Sequence, residues 1–232
     1  MFAADVPRIG PYYIQERLGV GGMAETFVGS TSASGDADDR VCIKVVRRDR
    51  ADDAKLLALF RDEARIHLLL DHDNVVRALS RGRDEHGEYL VLELVRGASL
   101  EALLALGREA RIRLSHAVTA HLVGEILKGL AHAHERTLQG VLLRIIHRDV
   151  SPSNVLLSLD GAVKLADFGV AKSAVNARPT TMGRVRGKLL YLSPEQCRGE
   201  PLDARSDLFS VGVIAFELFT GQHPFVRGSD ES

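Results

Sequence analysis

The sequence predicts an α+β protein with a small, antiparallel β-rich lobe that contains one helix, followed by a larger, mainly helical lobe. Three observations carry this prediction. Short β-branched and aromatic runs fill residues 12–46, helical patterns dominate after Gly97, and 232 residues are enough for two lobes with sizeable cores. We expect the first lobe over residues 12–95 and the second over residues 96–232, with residues 1–11 as a short N-terminal extension.

The strands of the first lobe are predicted from β-branched and aromatic residues between turn signals. Tyr12–Leu18 and Thr26–Val28 flank a glycine-rich break at Gly19-Val20-Gly21-Gly22. The polar stretch Ser32–Arg40 is typical of a hairpin tip, and Val41–Val46 forms the next strand.

One helix is predicted in this lobe, over Lys55–Leu70, because apolar residues recur there at i, i+3 and i+4. Tyr89–Val95 has the composition of a buried strand. Gly97 is predicted as a hinge before the helical part of the chain.

The second lobe is predicted to be mostly helical. Amphipathic or apolar patterns predict three helices, Ser99–Leu106, Ser115–Glu135 and Ser206–Thr220. Gly107–Arg113 is a charged connector between the first two. Val155–Leu157 and Val163–Ala166 are predicted as short strands joined by a turn at Asp160-Gly161, and Ser173–Gly187 is predicted as a loop.

Composition excludes several classes of protein. Apolar residues make up 45% and charged residues 26%, which is typical of a globular protein in water, and a net charge of -1 argues against a general nucleic-acid binder. The apolar stretches are too short to span a bilayer. Cys42 and Cys197 lack disulfide or metal-ligand spacing, so we expect a reducing, cytoplasmic location.

The glycine-rich break is followed by the strand-like run Glu25–Gly29. In dinucleotide-binding folds, such glycines open a helix instead. This context favours a glycine hairpin that folds over phosphates, because small residues let backbone N–H groups approach the oxygens. An ordinary turn is the alternative.

Lys44 lies on a predicted strand between apolar neighbours, and Glu63 lies on the predicted helix. An anionic partner such as Glu63 would hold the ammonium group for a ligand. The alternative is a lysine whose stem follows the sheet surface, with a surface ion pair of little value.

Asp149, Asn154 and Asp167 supply hard oxygen atoms. Mg²⁺ prefers such ligands together with phosphates, which suits Asn154 and Asp167. Asp149 suits the acceptance or orientation of a hydroxyl proton. The alternative is turn chemistry, which Asp and Asn also favour.

In their order and spacing, Val41–Lys44, His147–Asn154 and Asp167-Phe168-Gly169 resemble the motifs of eukaryotic-type protein kinases, specifically bacterial Ser/Thr kinases. The resemblance extends from Tyr12 to Phe225. It implies the bilobal kinase fold and a phosphotransferase that uses ATP and Mg²⁺, with Mn²⁺ as a substitute. The γ-phosphoryl group would go to Ser/Thr hydroxyls of proteins, including the chain's own activation loop, with self-association for phosphorylation in trans.

The resemblance also implies residue roles. Asp149 is the catalytic base, Lys44 contacts the α- and β-phosphates, Glu63 is its helix partner, and Asn154 and Asp167 hold the metal. The nucleotide-binding residues are Gly19, Val20, Gly21, Gly22, Met23, Ala24, Thr26, Cys42, Lys44, Leu92 (the gatekeeper), Glu93, Val95 and Leu156.

Regulatory and bracing roles follow from the same resemblance. Pro194-Glu195 ends the activation segment, and Asp207 braces the catalytic loop, which comprises His147–Asn154. Arg148 implies control by activation-loop phosphorylation. The candidate phosphorylation sites are Ser173, Thr180 and Thr181.

Two departures from the family pattern concern the transferred phosphoryl group. Ser151 replaces the catalytic-loop lysine, and Lys188 replaces a threonine of the activation segment. We hypothesise a swap in which Lys188 reaches the position vacated at Ser151, because loss of one charge-stabilising donor costs about 3 kcal/mol. Two smaller changes, Ala24 and Thr26, lie in the glycine loop.

The chain stops at Ser232, whereas kinases of this family carry further helices and an arginine that pairs with Glu195. We therefore expect the helix around Val211–Phe219 to be exposed over much of its length. Ser151 and the early stop favour an alternative function, a pseudokinase or truncated module that binds nucleotide or a partner protein.

His132 and His134 point about 200° apart on a helix, which excludes one shared metal ion for this pair.

Overall fold

A computed structural model of the chain describes residues 7–33, 39–168 and 189–226. The chain forms two compact units. The first comprises residues 1–71 and 76–95, and the second comprises residues 72–75 and 96–232.

The first unit contains an antiparallel six-stranded sheet with the order β1-β2-β3-β4-β6-β5. Its strands are β1 (Arg8–Ile9), β2 (Tyr12–Val20), β3 (Ala24–Ser30), β4 (Arg40–Val46), β5 (Ala78–Asp84) and β6 (Gly87–Glu93). The sequence analysis missed β5, because its residues are mostly polar or charged. They alternate between half-buried and exposed positions at the edge of the sheet, so no apolar run marks the strand.

A cluster of apolar side chains forms the core of this sheet, and it includes Ile9, Ile43, Val45, Tyr89 and Val91. The ring of Tyr89 lies directly over Gly82 of β5. A Cβ atom at Gly82 would lie 2.3 Å from the Tyr89 hydroxyl oxygen, so a larger residue there would force the ring to move.

Helix α1 (Ala54–His67) begins at Asp53, whose carboxylate accepts hydrogen bonds of 3.1 Å from the backbone N–H groups of Lys55 and Leu56. The predicted end at Leu70 is wrong. After His67 the hydrogen bonds shorten to three-residue steps, from Leu69 to Ile66 and from Leu70 to His67, and the α-helical ladder ends.

The second unit contains a three-stranded antiparallel sheet, made of β7 (Gly97–Ser99), β10 (Val155–Ser158) and β11 (Val163–Leu165). Gly97, predicted as a hinge, pairs with Ser158 inside this sheet. A Cβ atom at Gly97 would lie 1.9 Å from the carbonyl oxygen of Leu157. Glycine is needed here for close backbone approach.

The described helices of this unit are α2 (Leu100–Ala110), α3 (His116–His134), α4 (Pro194–Arg198) and α5 (Ala204–Thr220). Helix α2 continues through Gly107, so the predicted connector Gly107–Arg113 is half helical. The helix ends at Arg111, which adopts a left-handed conformation with φ of 56°. Helices α3 and α5 pack against each other.

A tight hairpin precedes the catalytic loop, and the sequence analysis missed it. Its strands are β8 (Thr137–Leu138) and β9 (Val141–Leu142), and both turn residues, Gln139 and Gly140, have positive φ values of 51° and 78°. Strands of two residues are too short to produce a periodic pattern.

Helix α5 has one buried and one exposed apolar face. Val211, Val213 and Ile214 are buried, whereas Phe216 and Phe219 are exposed. The expected exposure therefore holds for one face only, since α3 covers the other. Within the described part of the chain, every helix is too short or too polar to cross a lipid bilayer.

Candidate active site

In the first unit, the structure brings Lys44 of β4 and Glu63 of α1 together. Lys44 Nζ lies 2.5 Å from Glu63 Oε1, and the two side chains are only 10% and 4% exposed. The alternative of a solvent-exposed pair is therefore wrong. A buried ion pair costs desolvation energy on both groups, which makes it a weak source of stability and a notable feature of a candidate site.

The glycine-rich run forms the turn of the β2–β3 hairpin, as predicted. The Gly21 N–H donates to the Ala24 carbonyl at 2.8 Å, and strand β3 follows where a dinucleotide-binding fold would have a helix. Thr26 pairs with Lys44 in the register of β3 and β4. The hairpin and the lysine are therefore neighbours in one sheet.

The predicted nucleotide residues of β4 and β6 are also neighbours. Cys42 lies opposite Leu92 in the register of the two strands. The N–H of Glu93 donates to the Arg77 carbonyl at 2.9 Å, while its carboxylate accepts from the Arg77 N–H at 2.8 Å. The predicted strand ends too late, because β6 stops at Glu93 and Val95 lies beyond it.

In the second unit, the catalytic loop is held by Asp207 at the start of α5. The carboxylate of Asp207 accepts hydrogen bonds of 2.8 Å from the N–H groups of both His147 and Arg148. His134 Nε2 lies 2.8 Å from the same carboxylate. The sequence gives no sign of this contact, because a partner so far along the chain leaves no local pattern.

His147 is fully buried, and both of its ring nitrogens are hydrogen-bonded. Nδ1 accepts from the Asp149 N–H at 3.3 Å, and Nε2 donates to the Ala166 carbonyl at 3.1 Å. This arrangement uses the neutral imidazole. Burial lowers the pKa of His147, and the carboxylates of Asp207 and Asp149 oppose the effect only in part.

Asn154 connects the predicted base to the predicted metal ligands. Its Nδ2 donates to the backbone carbonyl of Asp149 at 2.8 Å and to Asp149 Oδ2 at 2.5 Å. The backbone carbonyl of Asn154 accepts a hydrogen bond of 2.9 Å from the N–H of Ala166, the residue before Asp167. These bonds place Asn154 beside Asp149 and next to the residue that precedes Asp167, and the roles of the three residues stay predictions.

The donor chemistry of this region fits Mg²⁺. With Nδ2 of Asn154 turned to Asp149, its amide oxygen is the atom that can coordinate a cation, and Asp167 adds a carboxylate. Within the described ranges, three or more His, Cys, Asp or Glu side chains are nowhere grouped to hold a metal ion. An ion here would thus depend on phosphate oxygens as further ligands.

Ser151 is buried, and its Oγ lies 3.1 Å from the Oγ of Ser153. Lys188, the other half of the proposed swap, lies outside the described residues, as do Gly169 and the candidate phosphorylation sites Ser173, Thr180 and Thr181. The ring of Phe168 is fully buried, 4.5 Å from the His147 ring.

The segment after Leu189 is fixed on α5. The Tyr191 carbonyl accepts from Ser210 Oγ at 2.7 Å, and Glu195 accepts from Ser206 Oγ at 2.6 Å. Glu195, expected to pair with an arginine, thus has a serine partner within the described ranges.

The Tyr191 hydroxyl donates to Glu217, which also contacts Arg108 at 2.5 Å. Burial, together with the Glu217 carboxylate, raises the pKa of Tyr191. The sequence analysis did not single out Glu217 or Ser206, because an isolated residue on an apolar helix carries no signal of its partner.

The chain is similar to known protein kinases. A family model described as "Protein kinase domain" matches residues 12–232. The chain is 36% identical over 222 residues to the tyrosine-protein kinase MasK of Myxococcus xanthus, covering 95% of this chain and 34% of that protein. It is 38% identical over 218 residues to the serine/threonine-protein kinase PknL of Mycobacterium tuberculosis, covering 94% and 51% respectively. The chain thus spans about a third to a half of the length of these curated relatives.

Among solved structures, the kinase domain of Mycobacterium tuberculosis PknI matches with a TM-score of 0.69 and 24% identity, over 100% of this chain and 83% of that chain. At this identity the match supports the fold, the bilobal arrangement of a β-rich and a helical lobe expected from the sequence.

Proposed function

The chain belongs to the protein kinase family, and from that premise we propose that it transfers the γ-phosphoryl group of ATP to serine and threonine hydroxyls of proteins. The buried Lys44–Glu63 pair carries this proposal. A module that no longer used ATP would gain little from keeping two charged groups out of water. This observation favours a chain that binds ATP, and Asp149, whose carboxylate Asn154 holds, favours phosphoryl transfer over nucleotide binding alone.

The proposed chemistry uses positioning and charge. The N–H groups of the β2–β3 turn and the Lys44 ammonium would bind phosphate oxygens. Asp149, held by Asn154, would accept or orient the proton of the acceptor hydroxyl. Asn154 and Asp167 would hold Mg²⁺, which supplies positive charge to the phosphates.

Preference for serine and threonine is supported by Pro152 in the catalytic loop and by Leu189-Leu190, where tyrosine kinases typically have a proline. The relatives PknL and PrkC (the latter from Bacillus subtilis) are named serine/threonine kinases, whereas MasK is named a tyrosine kinase. Phosphoamino-acid analysis of the labelled product tests the preference. Phosphotyrosine as the main product would overturn it.

The main test is transfer of labelled phosphate from ATP·Mg²⁺ to the protein itself and to a generic basic protein. Asp149→Asn, which keeps the shape of the side chain but removes the carboxylate, is the control. We expect label with the wild type and its loss with the variant. Nucleotide binding without transfer would support the pseudokinase, and equal label on both proteins would indicate a contaminating kinase.

The Lys188 swap belongs to the same proposal. If Lys188 supplies the charge that the family places at position 151, Lys188→Met and Lys188→Thr should both lower kcat by about a hundredfold. Turnover close to that of the wild type in both variants would exclude the swap.

We also propose that the chain acts in the cytoplasm and that one copy phosphorylates another. Self-phosphorylation that rises with the square of protein concentration would support transfer between copies. A rate per molecule that does not change with concentration would exclude it.

A further inference from the structure

Gln196, in the first turn of α4, makes hydrogen bonds at both ends of its side-chain amide. Its Oε1 accepts from the Ser193 N–H at 3.0 Å, and its own backbone N–H donates to Ser193 Oγ at 3.4 Å, which together form a capping box. The capping box requires only the oxygen of the amide. Its nitrogen, Nε2, donates instead to the backbone carbonyl of Arg148 at 2.8 Å.

The acceptor of that bond is an unusual part of the backbone. Arg148 adopts a left-handed conformation with φ of 67°, which costs about 1–2 kcal/mol for a residue with a side chain. The surrounding structure must supply that energy. Asp207 binds the N–H of Arg148, and Gln196 binds its carbonyl. The two hydrogen bonds fix the peptide groups on both sides of Arg148.

The peptide group that Gln196 binds is the one that joins Arg148 to Asp149. A rotation of this group would turn the Asp149 backbone and carry its carboxylate away from Asn154, which holds it at 2.5 Å. The Arg148 carbonyl therefore controls the orientation of the predicted base.

We propose that Gln196 is a positioning residue, which holds the Arg148–Asp149 peptide group so that Asp149 faces the acceptor hydroxyl. This inference rests on the proposed kinase function. Gln196 acts through the backbone of the catalytic loop and touches neither substrate nor nucleotide in this role.

Helix α5 gives Gln196 a fixed base from which to act. The Ser206 hydroxyl donates to the carboxylate of Glu195, the neighbour of Gln196, at 2.6 Å. The next residue of the helix, Asp207, accepts from the Arg148 N–H in the catalytic loop. Both ends of the Gln196–Arg148 bond are thus attached to adjacent residues of one helix. A shift of α4 on α5 would be transmitted to the Arg148–Asp149 peptide group through the amide of Gln196.

Two substitutions separate the capping role from the positioning role. Gln196→Glu keeps an oxygen for the Ser193 N–H, since glutamate also completes a capping box, but its carboxylate cannot donate to the Arg148 carbonyl. Gln196→Met keeps the length of the side chain and removes both hydrogen bonds. Gln139→Glu and Gln139→Met, at the exposed tip of the β8–β9 hairpin, are the matched controls.

For a positioning role, we expect kcat to fall about tenfold in both Gln196 variants at about pH 8, the change that the loss of one hydrogen bond permits. KM for ATP should stay within about twofold of the wild type, because nucleotide binding is not involved. The Gln139 variants should retain wild-type kcat.

Lower pH gives a signature that a purely structural role would not produce. Once protonated, the carboxyl group that Gln196→Glu introduces regains a donor for the Arg148 carbonyl, while its other oxygen serves Ser193. A glutamate with the ordinary pKa of about 4.3 is about one-sixth protonated at pH 5. The ratio of kcat for Gln196→Glu to that of the wild type should therefore rise about twofold as pH falls from about 8 to 5, and the ratio for Gln196→Met should not. Every protein compared contains the same charged neighbours of position 196, so their contribution cancels in the ratio. These neighbours are Glu195 and Arg198 on α4, Arg148 and Asp149 on the loop, and Asp207 on α5.

Several outcomes would overturn the inference. A Gln196→Met variant with the kcat of the wild type would overturn it. So would a loss of kcat that is equal in both Gln196 variants and stays the same at every pH. A wild-type protein that transfers no phosphate, while Asp149→Asn behaves identically, would overturn the proposed function and the inference that rests on it. Wild-type activity with unaffected Gln196 variants would overturn the inference alone.

Discussion

At the scale of single residues, His147 links the stability of the catalytic loop to pH. Its imidazole is neutral in the folded protein, because protonation of Nδ1 would place a donor against the N–H of Asp149. Its pKa is lowered by burial, whereas in the unfolded chain it is about 6.5. Above that value the imidazole is neutral in both states. As pH falls below it, the unfolded state binds a proton that the folded state does not, so stability decreases.

We therefore predict that the free energy of unfolding falls as pH drops below about 6.5, and that His147→Gln weakens this dependence. Urea unfolding at a series of pH values measures it. His121→Gln, on the exposed face of α3, is the control and should leave the dependence unchanged. A pH dependence unchanged by His147→Gln would contradict the assignment of a buried neutral imidazole.

The Lys44–Glu63 pair makes a second prediction at this scale. Removal of one partner leaves the other charge buried without this ion pair, at a cost of about 3 kcal/mol, whereas removal of both takes both charges out of the interior. Lys44→Met and Glu63→Met should each destabilise the protein, and the double variant should lose less than the sum of the two. A double-mutant cycle by urea unfolding measures the coupling. Additive losses would show that the two charges do not interact.

At the scale of elements, α5 is the part of the second unit on which the catalytic loop and the segment after Leu189 are both fixed. The catalytic loop is bound by Asp207. The segment after Leu189 is bound by Ser206, Ser210 and Glu217. The sequence predicts the helix from its apolar residues. Its polar residues, which organise the site, contribute nothing to that pattern.

The two aspartates at the start of α5 allow a matched comparison. Asp207→Asn can accept only with its single amide oxygen, so one of its two loop amides loses its partner, and we expect a loss of about 2 kcal/mol in stability together with a lower kcat. Asp203→Asn changes the N-cap of the same helix, where asparagine is as good as aspartate, and should cost only a few tenths of a kcal/mol. Thermal or urea unfolding compares them, and equal effects would contradict the bracing role of Asp207.

The elements that the sequence analysis missed share a physical cause. Strand β5 lies at a sheet edge with one polar face, and the β8–β9 strands have two residues each, so neither produces the apolar periodicity on which prediction depends. Helix α1 ends before its predicted end because the hydrogen bonds change to three-residue steps after His67. The apolar pattern continues through these residues and therefore does not mark the change.

At the scale of the whole molecule, the residues assigned to nucleotide and metal are divided between the two units. Lys44 and Glu63 belong to the first unit, and Asn154 and Asp167 belong to the second. A ligand that binds only the folded chain stabilises it by mass action, by about 2.7 kcal/mol at a hundred times its Kd.

We therefore predict that ATP with Mg²⁺ raises the Tm, and that Lys44→Met and Asp167→Asn each reduce the increase. Removal of Mg²⁺ with a chelator should reduce the increase for the wild type but have a smaller effect on Asp167→Asn, which has already lost a ligand of the ion. Differential scanning fluorimetry measures the shifts. An increase in Asp167→Asn that responds to Mg²⁺ as the wild type does would contradict the assignment of Asp167.

The sequence by itself determined the family and the order of the chemically active residues, since Lys44, Asp149, Asn154 and Asp167 are recognised by residue type within short local runs. Of the contacts that hold those runs in place, the resemblance implies the one from Asp207, and only the tertiary structure decided the others. Gln196 contacts a carbonyl 48 residues earlier, and His134 lies beside a carboxylate 73 residues later. Contacts between residues so far apart form only when the helices pack. They follow no period and match no local motif, and for that reason the sequence did not reveal them.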